Sequence, residues 1–358
     1  MVPRIGVIGG GIFGEMHLRA FTQMQREGKA ELVGLADLNE DLLKQREKDY
    51  GVSPFTDYME MIEKADPHAV TVVTPDFLHR EISLNCLKAG RHVLVEKPLD
   101  VTVEGCREMV AAAEEGNLIL QVDFHKRYDP YHQELEKLVV QGKLGEIEYG
   151  YAHMEDRIEV PRDWFPNWAP KSSPGWFLGV HMYDLIRWVI KSNGVEAYAT
   201  GLKKKLTSLG VDTYDSIQAK ILFENGAGFV VDSSWIMPDG FEAIVNQGIR
   251  MVGSEGMMEV DSQNRGAESC FAGESMATYN LGFFKEGKTK AGETYFAGYG
   301  IESIQDFALN VDHVLNGGSL DDLKGTFADG TDGLEVTKIA VGVHKSLETG
   351  APVKLSEL

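Results

Sequence analysis

The sequence predicts an α/β domain followed by an α+β domain: a doubly wound parallel sheet over residues 1–125, then a large, mostly antiparallel sheet within residues 126–358. Three observations carry this. A β-branched run ends in Gly9-x-Gly11-x-x-Gly14. Apolar strands alternate with amphipathic helices as far as residue 125, the pattern of a parallel sheet. Beyond about residue 145, strand-like stretches follow one another with few helices between them.

Each element has its own signal. Residues 2–8 read as a strand, and Phe13, Met16, Ala20 and Met24 recur at helical spacing after the glycine turn. A second strand, 32–36, ends in Asp37. A helix over 39–50 is stopped by Gly51, and a short one runs from Asp57 to Lys64. The strand 68–75 precedes a helix with Leu78, Ile82, Cys86 and Leu87 inward and Gly90 as its stop. Strand 92–96 follows, then a helix capped by Thr102 and ended by Gly116, then strand 118–122. In such a sheet ligands bind at the carboxyl ends of the strands, where Asp37, Thr74-Pro75 and Glu96-Lys97-Pro98 fall. The later strands are expected over 146–154, 196–204, 216–224, 228–235, 248–252 and 256–260, with a hairpin turn at Glu224-Asn225-Gly226. Helices over 302–315 and 332–347 close the chain, the second stopped by Gly350.

The glycine spacing has a physical reading. The first glycine permits a tight turn, the second lets backbone approach a pyrophosphate, and the third lets helix pack on strand. The diphosphate then meets the positive helix end. Asp37 lies 23 residues past Gly14, close to the roughly 20 expected of an acid that binds ribose hydroxyls. The plainer alternative is that Asp37 caps the helix starting near Asn39. As a ribose ligand it favours NAD over NADP, because it repels a 2′-phosphate and Leu38-Asn39 offers no arginine to hold one.

Composition narrows the function. A 358-residue chain with 43% hydrophobic residues is large enough for two cores. Its net charge of −20 and isoelectric point near 4.9 argue against nucleic acid and against an anionic membrane surface. Cys86, Cys106 and Cys270 lack metal-ligand spacing and read as small apolar residues. No signal peptide or membrane-length apolar run is seen, so a cytoplasmic protein is expected.

Three constellations could carry chemistry. Lys97 ends a buried strand, and Pro98 fixes its backbone direction; desolvation there suits proton transfer, although a surface lysine paired with Glu96 is the alternative. In Gly179-Val180-His181-Met182-Tyr183-Asp184, a helix puts His181, Asp184 and Trp188 on one face. The histidine is then a candidate base and the acid its partner, or the polar pair simply caps a helix over a Leu185/Trp188 core. The segment from Asp163 to Trp176 holds three of the five tryptophans, Trp164, Trp168 and Trp176. Aromatic faces suit the C–H faces of sugar rings, with Arg157, Arg162 and Asn167 near for hydroxyls; a core or interface anchor is the alternative. His17, His68, His79, His92, His125, His132, His153, His313 and His344 show no metal-type spacing and read as ordinary polar residues; no metal is expected.

Taken together, these motifs resemble the Gfo/Idh/MocA oxidoreductases, the family of glucose–fructose oxidoreductase and inositol dehydrogenase. The resemblance rests on the glycine turn, Thr74-Pro75 with His79, Glu96-Lys97-Pro98-Leu99, Phe124-His125-Lys126-Arg127-Tyr128-Asp129-Pro130, Gly142-Lys143-Leu144-Gly145-Glu146-Ile147, Gly179-Val180-His181-x-x-Asp184, and the tail 346–353. It implies an N-terminal Rossmann domain and a C-terminal domain whose open sheet serves oligomerisation, as a homodimer or homotetramer. It implies that NAD(P) is bound by Gly9, Gly11, Ile12, Phe13, Gly14, Asp37, Thr74, Pro75, His79, Glu96 and Lys97. Lys97 and His181 become the expected catalytic pair, and a cis Lys97–Pro98 bond is expected at the strand-end turn. The family often has an aspartate four residues before the histidine; here that residue is Phe177. Asp184 or another carboxylate then takes its place, or the relay needs only Lys97 and His181, or hydride transfer has been lost.

The expected function is therefore an NAD-dependent dehydrogenase acting on a secondary hydroxyl of a sugar, inositol or related polyol. Lys97, Arg157, Trp164, Trp176 and His181 are the expected substrate contacts, with Tyr183 a further candidate. Two alternatives stand: an NAD-using glycoside hydrolase, and a non-catalytic regulator that binds NAD and sugar.

Overall fold

The computed structural model describes residues 1–358 except 265 and 272. The chain forms two compact units, residues 1–128 with 282–334, and residues 129–281 with 335–358.

The first unit is built on six parallel strands: β1 (Arg4–Ile8), β2 (Glu31–Ala36), β3 (Pro54–Phe55), β4 (Ala69–Val72), β5 (His92–Val95) and β6 (Leu120–Val122). Their order is β3-β2-β1-β4-β5-β6. The order reverses direction at β1/β4, so a crevice opens there outside the carboxyl ends. Ile5, Val7, Val70, Val72, Val93 and Val95 are fully buried, as strands covered by helices on both faces must be. The covering helices are α1 (Ile12–Arg26), α2 (Glu40–Tyr50), α3 (Tyr58–Ala65), α4 (His79–Lys88) and α5 (Val103–Gly116). Asn39, Asp57 and Thr102, the last residues before α2, α3 and α5, cap these helices by accepting N–H bonds from their first turns. One stop differs from expectation. Gly116 is the last residue of α5, and Asn117 takes the left-handed turn at φ 50°. A Cβ at Gly116 would lie 2.8 Å from the end of the Leu118 side chain. The helix Tyr299–Leu315 places Ile301, Ile304, Phe307, Ala308 and Val311 in one core with Ile5, Leu18 and Phe21.

The second unit holds a seven-stranded sheet. Its main strands are β7 (Ile147–Arg157), β8 (Gly194–Leu202), β9 (Ser216–Phe223), β10 (Gly228–Met237), β11 (Val245–Gly253) and β12 (Met257–Asp261). The order is β12-β11-β7-β10-β9-β8, completed by Val353–Lys354. Every pairing is antiparallel except β10 with β7. The expected hairpin turn joins β9 to β10, with Gly226 at φ 88°. Ile217, Ala219, Ile221 and Phe223 alternate inward along β9. The helices α6 (Pro130–Val140) and α7 (Val180–Ile190) belong to this unit. Among the described residues, no helix is long and apolar enough to cross a membrane.

Candidate active site

In the first unit the glycine loop closes against its neighbours. Gly9 sits at φ +100°, and a Cβ there would lie 2.3 Å from the Val73 carbonyl oxygen. At Gly14 a Cβ would lie 2.0 Å from the Gly9 oxygen. Gly11 is the opposite case: a Cβ would meet nothing within 4 Å. This open space borders the start of α1, which no side chain caps. A diphosphate fits such a cradle, since it needs close backbone approach and free N–H groups. Ile12 is exposed at the same helix start, beside the half-buried Phe13.

Asp37 ties the loop to the end of β2. The Gly10 N–H donates to Oδ2 at 2.7 Å and the Asn39 N–H to Oδ1 at 2.8 Å. Each oxygen keeps a lone pair for a ribose hydroxyl. The helix cap itself is Asn39. On the other side of the loop Arg46 donates to the Gly10 carbonyl at 3.2 Å and pairs with Glu15 at 2.8 Å. Glu15 also accepts from Tyr50 at 2.7 Å and Arg19 at 3.0 Å.

Past β4, the buried His79 ring bridges two backbone carbonyls. Nδ1 lies 2.7 Å from the Pro98 oxygen and Nε2 2.9 Å from the Thr74 oxygen. This couples the Thr74-Pro75 turn to the segment after β5. Lys97 is buried, 8% exposed, and its bond to Pro98 is cis. Beside it, Glu96 accepts from His17 Nε2 at 3.2 Å. Asp123, just past β6, joins the same cluster: one ligand atom from each of His17, Glu96 and Asp123 lies within 4.8 Å of the others.

In the second unit α7 presents His181 and Asp184 one turn apart, both buried, at 4% and 0% exposure. Gly179, at the start of this helix, is fixed by space: a Cβ would lie 2.8 Å from the Tyr183 hydroxyl. Burial pushes the Tyr183 phenol above its ordinary range. Phe177, the residue in place of the expected acid, packs in an aromatic cluster. Its ring centroid is 5.1 Å from Trp168, 5.8 Å from Trp235 and 6.0 Å from Phe165. Trp176 stacks on His344 at 5.0 Å, and His344 Nε2 lies 2.7 Å from the Ser173 hydroxyl. Trp164 stands exposed. Arg157 is held by Glu159 and by the Phe241 carbonyl. The segment carrying these residues contains two single-turn π-helices, Val160–Trp164 and Gly175–Gly179, a form of turn frequent at functional sites.

Sequence reasoning missed Asp123 and Arg46 and set His17 aside as an ordinary polar residue. His17 is in fact fully buried against Glu96. Asp123 had a usable signal, because it follows β6 as Glu96 follows β5.

The family model described as oxidoreductase family, NAD-binding Rossmann fold, matches residues 3–124. A second, the GFO/IDH/MocA C-terminal domain, matches residues 132–259. The chain is 24% identical over 357 residues to the uncharacterized oxidoreductase YrbE of Bacillus subtilis, covering 98% of this chain and 96% of that one. It is 28% identical over 263 residues to myo-inositol 2-dehydrogenase of Thermotoga maritima, covering 72% and 75%. In fold it resembles scyllo-inositol dehydrogenase of Lactobacillus casei, solved with NAD(H) and scyllo-inositol, at TM-score 0.78 and 21% identity over 99% and 100% of the two chains. An open glycine cradle on a β3-β2-β1-β4-β5-β6 sheet and two matching domain models lead to one conclusion: the chain belongs to the GFO/IDH/MocA oxidoreductases, and residues 3–124 are their NAD-binding Rossmann domain.

Proposed function

We propose that this protein is an NAD-dependent dehydrogenase that oxidises a secondary hydroxyl of a sugar, inositol or related polyol. The observation that carries the reading is Lys97, buried at the carboxyl end of β5 in the cofactor-binding unit. The inositol dehydrogenases among its relatives support the substrate class. NAD, when bound, supplies the two-electron acceptor. Gly9 to Gly14 hold its diphosphate, and Asp37 its adenosine ribose. His181 accepts the proton of the substrate hydroxyl, and Asp184, one turn on, stabilises the imidazolium. The Lys97 ammonium donates to the same oxygen and offsets the negative charge that grows there. Trp164 and Trp176 offer faces to the C–H side of the ring, with Arg157 a hydroxyl donor.

Lys97→Met tests this directly. Turnover should fall by roughly 10²–10⁴-fold, the scale of a lost proton-transfer or charge-stabilising group. NAD binding by fluorescence titration should stay near the wild-type value. Unchanged turnover would remove Lys97 from the reaction.

A further inference from the structure

Glu96 and Asp123 follow neighbouring parallel strands, so they leave the sheet side by side at its carboxyl edge. Both are shielded from water: Asp123 is 4% exposed, and the Glu96 side chain 12%. Two carboxylates this close in so dry a place cannot both stay ionised unless a positive group lies between them. A proton or a metal cation would serve.

The geometry favours the proton. A carboxylate only accepts, so at 3.2 Å from Glu96 the His17 Nε2 carries its hydrogen toward that oxygen and has no lone pair there for a metal. His17 Nδ1 is buried with no partner, which suits a bare lone pair better than a stranded N–H. The surroundings are already cationic. Lys97 acts through space on both carboxyls, and His125 on Glu96.

We propose that Asp123 and Glu96 share one proton, carried on Asp123, and that Asp123 is thereby a positioning residue for Lys97. Asp123 donates its O–H to the Glu96 carboxylate, so the Lys97 ammonium faces one negative charge rather than two. A second charge would draw the ammonium back toward the sheet and away from a substrate oxygen. The part concerning Lys97 rests on the dehydrogenase reading; the shared proton does not. Burial and then the Glu96 charge push Asp123 well above the carboxylate range. For Glu96, burial alone would raise it, but the His17 hydrogen bond and the nearby Lys97 and His125 outweigh that and hold it low. The remaining neighbours are Ser303, from the helix Tyr299–Leu315, and Tyr128, whose hydroxyl donates to Asp306 at 2.6 Å.

The test is infrared spectroscopy of the full-length protein without substrate. A protonated-carboxyl C=O band should be present at neutral pH and absent in Asp123→Asn. Carbon-13 labelling of aspartate should shift the band and labelling of glutamate should not, which identifies the holder even if the variant misfolds. The kinetic arm is the pH profile of kcat/KM: its alkaline limb should be lost in Asp123→Asn, which keeps a donor to Glu96, whereas Asp123→Ala, which has none, should lose rate at every pH. A protein without polyol activity would sink the dehydrogenase reading and leave the band as the measure of the shared proton. No protonated-carboxyl band at neutral pH, a band that survives Asp123→Asn, or saturable Zn²⁺ or Mn²⁺ binding that the variant abolishes would overturn the proposal.

Discussion

Gly11 and Gly14 separate two demands on a single hydrogen atom. A Cβ on Gly14 would lie 2.0 Å from the Gly9 oxygen, whereas one on Gly11 would meet nothing within 4 Å. Gly14→Ala should therefore lower both the melting temperature and the NAD affinity. Gly11→Ala should leave the melting temperature alone but weaken NAD at least tenfold, about 1.4 kcal/mol, because its methyl fills the diphosphate space. Thermal melts and NAD titrations on both variants check this. His92 supplies a pH dependence. Its Nδ1 accepts the Ile119 N–H at 2.9 Å, and burial, then the His68 charge, holds it down to about 4. The folded state thus refuses a proton that the unfolded state accepts near pH 6.5. Stability should be fullest above that value and fall by up to about 3 kcal/mol as pH drops toward 4. Denaturant midpoints at neutral pH and near pH 4 should show the loss in the wild type and a smaller one in His92→Asn. At this scale the sequence reveals residues whose meaning is local, such as the glycine spacing, Asp37 after a strand, and Lys97 before Pro98. It hides those defined by partners far along the chain: His17 and Glu96 are 79 residues apart, and Arg46 and Gly10 are 36.

Elements were legible where a cap or a period announces them. Thr102 caps its helix as read and Asp57 starts α3 as its cap, while Asn39 rather than Asp37 caps α2; the alternation of β9 is plain in its letters. The π-turns around Trp164 and Phe177 were not, because one extra residue per turn leaves no period to detect. The role of Phe177 was hidden for the same reason. Its ring joins Phe165 and Trp168 of its own segment to Trp235 on the distant strand β10. Phe177→Ala should destabilise the protein by about 2 kcal/mol, less than the roughly 3–5 of a fully buried phenylalanine, since Phe177 is only half-buried. Urea unfolding followed by tryptophan fluorescence measures this, and no change would mean the cluster is loosely packed.

For the whole molecule, both fold classes follow from the pattern of strands and helices, whereas the strand order and the two-residue strand β3 come only from the structure. So does the course of residues 282–334. Periodicity shows that the helix Tyr299–Leu315 has an apolar face, but only the structure shows that this face enters the core of α1 and β1. The most direct measurement is NADH formation by the purified protein across inositols, aldoses and anhydro-sugars, with NAD and NADP in parallel and Lys97→Met and His181→Asn as controls. The account predicts that at least one polyol is oxidised, faster with NAD, and that both variants lose the activity while still binding NAD. Tight NAD binding with no polyol oxidised, or release of an aglycone without net NADH, would contradict it.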